Sequence, residues 1–437
     1  MSFYLFWPDE SQMVEAGFGN VADIPAVFDG RWAYQEAPSK YLRERTLRDF
    51  LPRNARRSVN VLTPASIQTF GESLCNFLEW CELRELDWRL LEYKNDIIQG
   101  YQKALSAGTF SVGFRGLSSS TINSRVDEAC NFLQWAFGRG LRREFHVPTV
   151  KIKVKHKNSQ LSHGHKTQEI EVREGRVRAD PKSLRMPSQQ EIKLWLESLR
   201  VEKGVTKHLM AELILYSAVR REEVIQWQVD TLPENREDWH ITGNEVAVKV
   251  EYGAKGMKRY NERGDLVGPS RIIFLPLELA EKLHLYRETK RLKFFAAYVK
   301  SAKTPRERSE RMNKRFSQLF LSDFTGKPVS AQTFYDAWVE ASRLPFKGWS
   351  PHPGRHYWAC NELLQELDRK FSALKNLKKS EIPIDWISGN VQDIIKIRIQ
   401  PQLGHIDEET TERYIAWAIQ QYRCGDIGDR FEQALES

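Results

Sequence analysis

The chain has 437 residues, of which 41% are hydrophobic, so it is expected to form two or three domains with substantial cores. Its formal net charge of +8 is modest for this length and only hints at a polyanionic partner. The start does not resemble a signal peptide, no apolar run could span a bilayer, and the five cysteines lack zinc-binding spacing. We therefore expect a soluble, cytoplasmic protein with reduced thiols and no membrane partner.

The first part of the chain is predicted to be helical after an irregular start. Residues 1–57 contain four prolines and form a leader of unknown role, in which we expect short helices. From Thr63 onwards apolar residues recur every three or four positions, and Thr63 followed by Pro64 is a favourable helix start. Two more helical patterns follow, and glycines beginning at Gly138 end the last one. Residues 58–148 are therefore predicted to form an all-helical domain.

Residues 149–187 are predicted to be a basic linker between two domains. The segment KIKVKHK alternates charged and apolar residues, which is typical of a short edge strand, whereas the remainder is polar and aperiodic. Two interpretations stay open: the basic side chains form a solvated face, or they lie along a phosphate backbone. The candidate DNA-binding residues are Lys151, Lys153, Lys155 and Lys157, with Arg125 in the preceding helical domain.

A second domain, residues 188–425, is predicted to be mainly α with a small β-sheet (an α+β fold), followed by a tail at 426–437. It opens with a capping box formed by Ser188 and Glu191. Two strand patterns, EVAVKVEY and RIIFLPL, flank a loop rich in Gly and Lys, and helical patterns then resume. The stretch 287–315 has eleven Lys or Arg residues against three Glu, which indicates solvated helix faces or partial DNA contact.

Four short segments of this second domain contain residues whose side chains could take part in a reaction. They are SAVRREEV, YGAKGMKR, HPGRH and LGHIDEETTERYI, and the residues of interest are, in chain order, Arg220, Glu223, Lys255, His352, Arg355, His405 and Tyr414. Each residue alone has an ordinary explanation, such as a surface ion pair or a packed tyrosine. The ordered set resembles the tyrosine recombinase and phage integrase family, whose pattern is Arg-x-x-Glu/Asp, a hairpin Lys, His-x-x-Arg, and Gly-His with Tyr nine residues later. The resemblance covers about residues 63–415.

The resemblance implies a site-specific DNA recombinase. Its helical, SAM-like core-binding domain and its catalytic domain would form a C-shaped clamp around a double-stranded DNA recombination site. A homotetramer on two DNA sites, association with the nucleoid, and accessory DNA-bending proteins or a partner recombinase are also implied. No metal ion or other cofactor is expected, and the sequence has no GxxxxGK[ST] segment for ATP. Integration, excision and transposition of mobile DNA all stay open.

The chemistry of a phosphodiester explains why these residue types occur together. Its oxygens gain negative charge in the transition state, so Arg220 and Arg355 are expected to clamp them, while Glu223 holds Arg220 one helical turn away. By resemblance, Tyr414 attacks the phosphorus to give a 3′-phosphotyrosyl bond and a free 5′-hydroxyl. That bond conserves the energy of the broken one, so rejoining needs no ATP.

Three further residues complete the implied mechanism. His352 is the candidate acceptor of the phenol proton, Lys255 is the candidate donor to the 5′ oxygen, and His405 is expected to hydrogen-bond the phosphate. The assignment of Lys255 has two close competitors, Lys249 and Lys258, in a loop of unusual length.

The sequence departs from the family pattern in two places. Ser217 and Ala218 stand where the family usually has Thr-Gly, and we expect activity to survive because Ala for Gly is a small change on a helix. Arg355 and His405 are about 50 residues apart, roughly twice the usual spacing. The additional material near 366–390 is interpreted as an insertion that binds DNA or a neighbouring subunit.

Two alternative functions stay open. A type IB topoisomerase-like enzyme would nick and reseal DNA with the same chemistry but would not exchange strands. A DNA-binding architectural protein would keep the fold without catalysis. The helical domain argues against the first alternative, as does the segment after Tyr414, which by resemblance docks onto the adjacent subunit of a tetramer, because relaxation of DNA needs no tetramer. The complete residue set argues against the second alternative.

Overall fold

The structure is a computed structural model, and it describes residues 2–52, 62–110, 113–156, 166–178, 184–256, 258–314, 316–372, 383–404, 410–411 and 413–421. The chain divides into two compact units, Met1–Pro181 and Lys182–Ser437. Both are mainly helical with small antiparallel sheets, which confirms the predicted fold class. Within the described ranges, no helix combines the length and apolar character needed to cross a membrane.

The first unit is built on three long helices with short strands at both ends. Its elements are β1 (Tyr4–Phe6), α1 (Glu10–Glu15), a 3₁₀ turn (Gly19–Val21), β2 (Ala26–Phe28), α2 (Glu36–Leu47), α3 (Pro64–Leu83), a π-helical segment (Tyr93–Gln102) continuing into α4 (Lys103–Ala107), α5 (Ser119–Gly138), β3 (Thr149–His156) and β4 (Lys166–Arg173). As predicted, α3 begins at Pro64, and the Ser66 amide donates to the Thr63 hydroxyl at 3.3 Å. Its core is aromatic, with Trp80 and Trp135 both 2% exposed.

The N-terminal residues contribute to this core. Val27 of β2 and Tyr41 of α2 are fully buried among the side chains of α3 and α5. The Tyr41 hydroxyl donates to Glu128 Oε1 at 2.8 Å, and Arg45 forms an ion pair with the same carboxylate. Because Glu128 is 3% exposed, this polar triad lies inside the core. Residues 2–52 therefore belong physically to the first unit.

The predicted linker forms a β-hairpin rather than one strand and an irregular tail. β3 covers KIKVKH as the alternation suggests, but the polar segment Lys166–Arg173, which was predicted to be aperiodic, pairs with it as β4. The register sets Lys151 opposite Glu171 and Lys153 opposite Glu169. Cross-strand partners share one face of a sheet, so acidic positions accompany the basic ones.

The second unit surrounds a small sheet with helices. Its elements are α6 (Gln189–Lys203), α7 (Val205–Ser217), α8 (Arg221–Ile225), a 3₁₀ turn (Arg236–Asp238), β5 (His240–Thr242), β6 (Glu245–Val250), β7 (Arg259–Tyr260), β8 (Leu266–Val267), β9 (Arg271–Pro276), α9 (Leu277–Tyr286), a π-helical turn (Arg287–Arg291), α10 (Leu292–Lys300), α11 (Pro305–Asn313), α12 (Ala331–Glu340), α13 (Pro351–Ser372), α14 (Ile384–Ile394), a π-helical turn (Ile395–Ile399), α15 (Gln400–Leu403) and helical residues 410–411 and 413–421. The predicted capping box is present, with the Ser188 amide donating to Glu191 at 2.7 Å.

The two predicted strands, β6 and β9, pair with each other in a three-stranded antiparallel sheet with the order β5–β6–β9. Val248 is the register partner of Ile273, and both are buried against a core that contains Trp195 and Trp338. The connection between β6 and β9 is long and contains a separate two-stranded ribbon, β7–β8. This sheet fixes the position of Arg271, the first residue of β9, and of the end of β6, from which the loop containing Lys255 begins.

A second core of this unit joins α13, α14 and the helical residues 413–421. Leu367 and Ile387, which the sequence assigns to an insertion, are both fully buried in it. At its described ends, therefore, the segment near 366–390 is packed into the fold, whereas residues 373–382 lie outside the described part. The helix after this segment leads directly to the candidate site.

Part of the basic stretch 287–315 has a structural explanation. The buried guanidinium of Arg287 donates to the carbonyl oxygens of four residues, which are Val229, Leu232, Pro233 and Glu234. Arg291 donates to the carbonyl oxygen of Phe316 at 2.5 Å. These two positive charges satisfy buried backbone groups and are not available to a polyanion.

The triad that attaches the N-terminal residues gives a stability prediction. Glu128→Ala is expected to lower the free energy of unfolding by about 3–5 kcal/mol, because Arg45 is left as a nearly buried charge without its partner. Chemical denaturation of the full chain, followed by tryptophan fluorescence, measures this loss. The exposed Glu72→Ala on α3 is the control, with an expected change within about 0.5 kcal/mol. Equal effects of the two substitutions would contradict the structural role of the triad.

Candidate active site

The end of a helix gathers three arginines from distant parts of the second unit. α14, the π-helical turn and α15 form one continuous helix, which ends at Gly404 in a left-handed conformation, φ 59°. The carbonyl oxygens of 402–404 accept, in that order, from Arg271 Nε at 3.0 Å, Arg355 Nη2 at 2.9 Å and Arg220 Nη2 at 2.5 Å. The last carbonyls of a helix have no partner within the helix and carry partial negative charge, so guanidinium groups suit them.

Gly404 is required at this point by space as well as by conformation. A Cβ there would lie 2.7 Å from Arg271 Cδ, which is closer than packed side chains allow. The glycine of the Leu-Gly-His segment therefore lets the helix end approach Arg271 closely.

Glu223 connects two of the three arginines. Its carboxylate, which is 1% exposed, lies 3.0 Å from Arg220 Nη1 and forms a bidentate pair with Arg271 at 2.6 and 2.7 Å. The Arg220 amide also donates to it at 2.7 Å. Burial by itself raises the pKa of Glu223, but the hydrogen bonds and positive charges of Arg271 and Arg220 outweigh it and lower the pKa below its usual range.

Arg355 is positioned by the start of α13. Gly354 lies against the indole of Trp338, where a Cβ would come within 2.9 Å of the ring, so a side chain here would push α13 away from α12. Arg355 is 9% exposed, and its burial, followed by the nearby charge of Arg220, lowers its pKa to about 9. The site therefore concentrates positive charge in surroundings that solvate it poorly, which favours the binding of an anion.

Ala218 corrects the expectation for the departure from Thr-Gly. It does not lie within a helix but follows the last residue of α7, with φ 55° in the left-handed region. A side chain in this region costs about 1–2 kcal/mol, which a glycine would avoid. Ala218 is fully buried beside α13 and Tyr414, so its methyl group packs in the core that adjoins the site.

Tyr414 lies next to a pair of histidines. It is 1% exposed, within helical residues 413–421, and its hydroxyl oxygen is 2.7 Å from His356 Nδ1. His356 Nε2 lies 3.2 Å from His352 Nε2, and both histidines belong to α13. The phenol therefore contacts His356 directly, and His356 in turn contacts His352. His356 was not among the residues selected from the sequence, although two histidines four residues apart lie on one face of a helix.

His352 forms the outer end of this pair. His352 is an exposed residue. Partial desolvation, followed by the positive charges of Arg355, Arg413 and Arg220, lowers the pKa of His352 from its ordinary value. A lowered pKa leaves the imidazole neutral at neutral pH, in the state that accepts a proton.

The Lys255 loop is anchored beside α8. At Gly253, φ 70°, a Cβ would lie 2.3 Å from the carbonyl oxygen of Glu222, so the loop backbone packs directly against the residue before Glu223. Lys255 is exposed and, within the described residues, has no hydrogen bond or ion pair. Its two competitors have partners, because Lys249 pairs with Glu251 at 2.8 Å and Lys258 donates to the Ala254 carbonyl at 2.9 Å.

The remaining candidate residues are not among those that the structure brings together in this site. His405 and Lys157 lie outside the described residues, as do the side chains of Lys153 and Lys155. Lys151 is exposed on β3, and Arg125 is half-buried on α5, both in the first unit. In the ranges that the structure describes, no three His, Cys, Asp or Glu side chains are arranged to hold a metal ion.

Glu223 gives a stability prediction with a pH dependence. Its folded pKa lies below the value of about 4.3 in an unfolded chain, so the carboxylate stabilises the fold above that value. That stabilisation is lost as the pH falls through the folded pKa. Glu223→Gln is expected to lower the free energy of unfolding by about 3–5 kcal/mol at pH 7, and the loss should shrink on acidification.

Urea denaturation at pH 7 and in steps down to about pH 3 measures the difference between Glu223→Gln and the unchanged protein. The adjacent, exposed Glu222→Gln is the matched control and should change the free energy of unfolding by less than about 0.5 kcal/mol. A loss for Glu223→Gln that grows on acidification would show that the carboxylate is not held ionised by the arginines.

No protein-family model matches the sequence, and no curated protein does. Among solved structures, the chain is similar to a XerH site-specific recombinase bound to its difH substrate in a pre-cleavage complex. The identity is 15%, over 80% of this chain and 77% of that chain, with a TM-score of 0.41. It is also similar to the Tn1549 transposon integrase in complex with circular intermediate DNA, at 15% identity over 87% of this chain and 94% of that chain, with a TM-score of 0.42.

A third similar structure is a lambda integrase dimer bound to a COC′ core site, at 10% identity over 86% of this chain and 94% of that chain, with a TM-score of 0.42. At these identities and TM-scores, the likeness assigns no role to any residue of this chain. The solved structures to which the chain is similar are recombinases and integrases, the family that its motifs resemble.

Proposed function

We propose that this protein is a site-specific DNA recombinase, which cleaves and rejoins DNA strands through a covalent bond between Tyr414 and a 3′ phosphate. The observation that supports this proposal is the convergence of one phenol and two arginines in a single site. Arg220 and Arg355 donate to the adjacent carbonyls 403–404, and Tyr414 lies beside the histidines of α13 that precede and follow Arg355.

The two arginines suit the phosphate of a DNA strand. A guanidinium has five N–H donors. The described hydrogen bonds involve two nitrogens of Arg220, Nη1 and Nη2, and one nitrogen of Arg355, Nη2. In the proposed complex the other donors bind the non-bridging phosphate oxygens, where charge develops during attack. Glu223 and Arg271 keep Arg220 in place. By resemblance, His405 adds a further hydrogen bond to the phosphate.

The proton movements follow from the same arrangement. Tyr414 loses its proton to the histidine pair, in which His352 is the acceptor expected from the sequence. The departing 5′ oxygen receives a proton from Lys255, which the anchored loop keeps near α8. Rejoining reverses these steps, because the phosphotyrosyl bond conserves the energy of the broken phosphodiester. The proposed reaction needs neither a metal ion nor ATP.

The proposed partner is double-stranded DNA, bound by four copies of the chain on two recombination sites. Accessory DNA-bending proteins or a partner recombinase belong to the same proposal, as does a location at the nucleoid. Most of the binding energy would come from phosphate contacts, so the affinity should fall steeply with salt concentration. Lys151, Lys153, Lys155, Lys157 and Arg125 remain proposed DNA contacts.

Covalent capture tests the nucleophile. A duplex taken from the flanks of the gene, nicked so that the cleaved strand diffuses away, is expected to give a protein–DNA adduct on a denaturing gel. Tyr414→Phe should bind the same duplex but form no adduct, because it lacks the hydroxyl that attacks. Tyr357→Phe, on the same helix as Arg355, is the matched control and should retain the adduct. An adduct in Tyr414→Phe would disprove the proposed nucleophile.

The same assay separates the proposal from its two alternatives. A topoisomerase-like enzyme would form the adduct and relax supercoiled DNA, but two differently labelled duplexes would never exchange strands. A DNA-binding architectural protein would shift the duplex on a native gel without forming an adduct. Strand exchange between labelled duplexes, lost in Tyr414→Phe, is the result expected of a recombinase.

The role of Lys255 predicts a rescue by the leaving group. Lys255→Ala is expected to slow adduct formation by about 10²-fold or more, because the 5′ oxygen leaves without a proton. A substrate with sulfur in place of that 5′ oxygen has a leaving group that needs no proton, and it should restore the rate. Lys249→Ala on β6 and Lys258→Ala after the loop are matched controls close to Lys255 in the chain. If either control slowed cleavage with the same rescue, that lysine would replace Lys255 as the proton donor.

A further inference from the structure

The contact between Tyr414 and His356 determines the protonation of the histidine pair. If the phenol donates to His356 Nδ1, the proton of the neutral His356 ring must be on Nε2. That Nε2–H then points to His352 Nε2, 3.2 Å away, which accepts it. His352, an exposed residue, in turn carries its proton on Nδ1. The three groups form one hydrogen-bonded chain from a buried phenol to an exposed residue.

Burial of the phenol favours such a chain in the proposed reaction. Tyr414 is 1% exposed and packs with Trp417 and Ala418 in the core beside α13. A phenolate in surroundings of low dielectric is costly unless its proton leaves as the new bond forms. Solvent around a side chain so deeply buried is a poor acceptor, whereas His356 is already at hydrogen-bonding distance.

We propose that His356 is the direct acceptor of the Tyr414 proton and that His352 relays the positive charge to solvent. This inference rests on the proposed function and changes the role of His352, which becomes the outer member of a two-histidine relay. His356 is then a catalytic residue, since it contacts the reacting hydroxyl.

The proposed step is balanced in atoms and charge. As the Tyr414 oxygen bonds to phosphorus, its proton moves to His356 Nδ1, and the bond from phosphorus to the 5′ oxygen breaks. The Nε2 proton of His356 moves to His352 Nε2, and the Nδ1 proton of His352 passes to solvent. The 5′ oxygen gains its own proton from Lys255. In the rejoining step all of these transfers run in reverse.

The surrounding charges favour release of a proton from His352 to solvent. Three arginines face His352: Arg355 on its own helix, Arg220 before α8, and Arg413 beside Tyr414. They disfavour a proton resting on His352, so the charge is passed on rather than stored. The bound phosphate adds negative charge near Arg220 and Arg355, which partly offsets this repulsion during the reaction.

Asparagine at position 356 distinguishes proton transfer from positioning. Its amide group reaches the place of the histidine Nδ1 and accepts a hydrogen bond from the Tyr414 hydroxyl, but it cannot take up the proton. His356→Asn is therefore expected to bind DNA normally and to slow adduct formation by about 10²-fold or more. If His356 only positions the phenol, the same variant should stay within about threefold of the unchanged protein, and this result would overturn the proposal.

The pH profile gives a second readout that a positioning role would not change. In the unchanged protein the rate should rise with pH and level off within the range in which histidine titrates. In His356→Asn it should keep rising above that range, because only the spontaneously ionised tyrosine reacts. A plateau retained in His356→Asn but lost in His352→Asn would assign the acceptor role to His352 and overturn the inference.

Two controls isolate the relay. His208→Asn alters a histidine whose Nδ1 also contacts a single oxygen, the Leu196 carbonyl at 3.0 Å, and it should leave the rate unchanged. The substrate with a 5′ sulfur leaving group should rescue Lys255→Ala but not His356→Asn. The absence of adduct in the unchanged protein would refute the proposed function itself, whereas a normal adduct rate in His356→Asn would refute only the relay.

Discussion

The second unit depends on one junction, the three carbonyl oxygens at the end of the helix that stops at Gly404. They hold Arg271, Arg355 and Arg220, which come from a strand, a long helix and the residue before a short helix. Like charges repel one another unless partners of opposite sign are close, and here the carbonyl dipoles and Glu223 are those partners. A helix terminus thus assembles positive charge in a buried place.

The same junction links the chemistry to the packing. The helix that supplies the carbonyls also contributes Ile387 and Val391 to the core that encloses Tyr414. The positions of the phenol, the arginines and the histidine pair therefore all depend on the helix that ends at Gly404 and on the core that it helps to form. His352 and His356, which lie on either side of Arg355 in HPGRH, illustrate this. They share one helix face, where His356 contacts Tyr414 and His352 contacts His356.

Much of the site could be predicted from the sequence, because its members recur in short segments with fixed spacing. Arg220, Glu223, Arg355 and Tyr414 do come together in the structure, and the capping box and both predicted strands are present. Arg271 was missed because it begins an ordinary strand pattern, and its pairing with Glu223 depends on tertiary contact alone. His356 was missed because the motif directed attention to His352 and Arg355. The second strand of the linker hairpin has a polar composition that gives no alternating pattern.

The attachment of residues 2–52 has a consequence for the design of truncated fragments of this protein. A truncated chain starting near Thr63 would look natural from the sequence, since the first regular helical pattern of apolar residues begins there. It would also remove Val27 and Tyr41 from the interior, leaving a hole between α3 and α5 and the Glu128 carboxylate without its two partners. Such a fragment would be prone to aggregation, and a failure to bind DNA would then report a damaged interior rather than a lost contact surface.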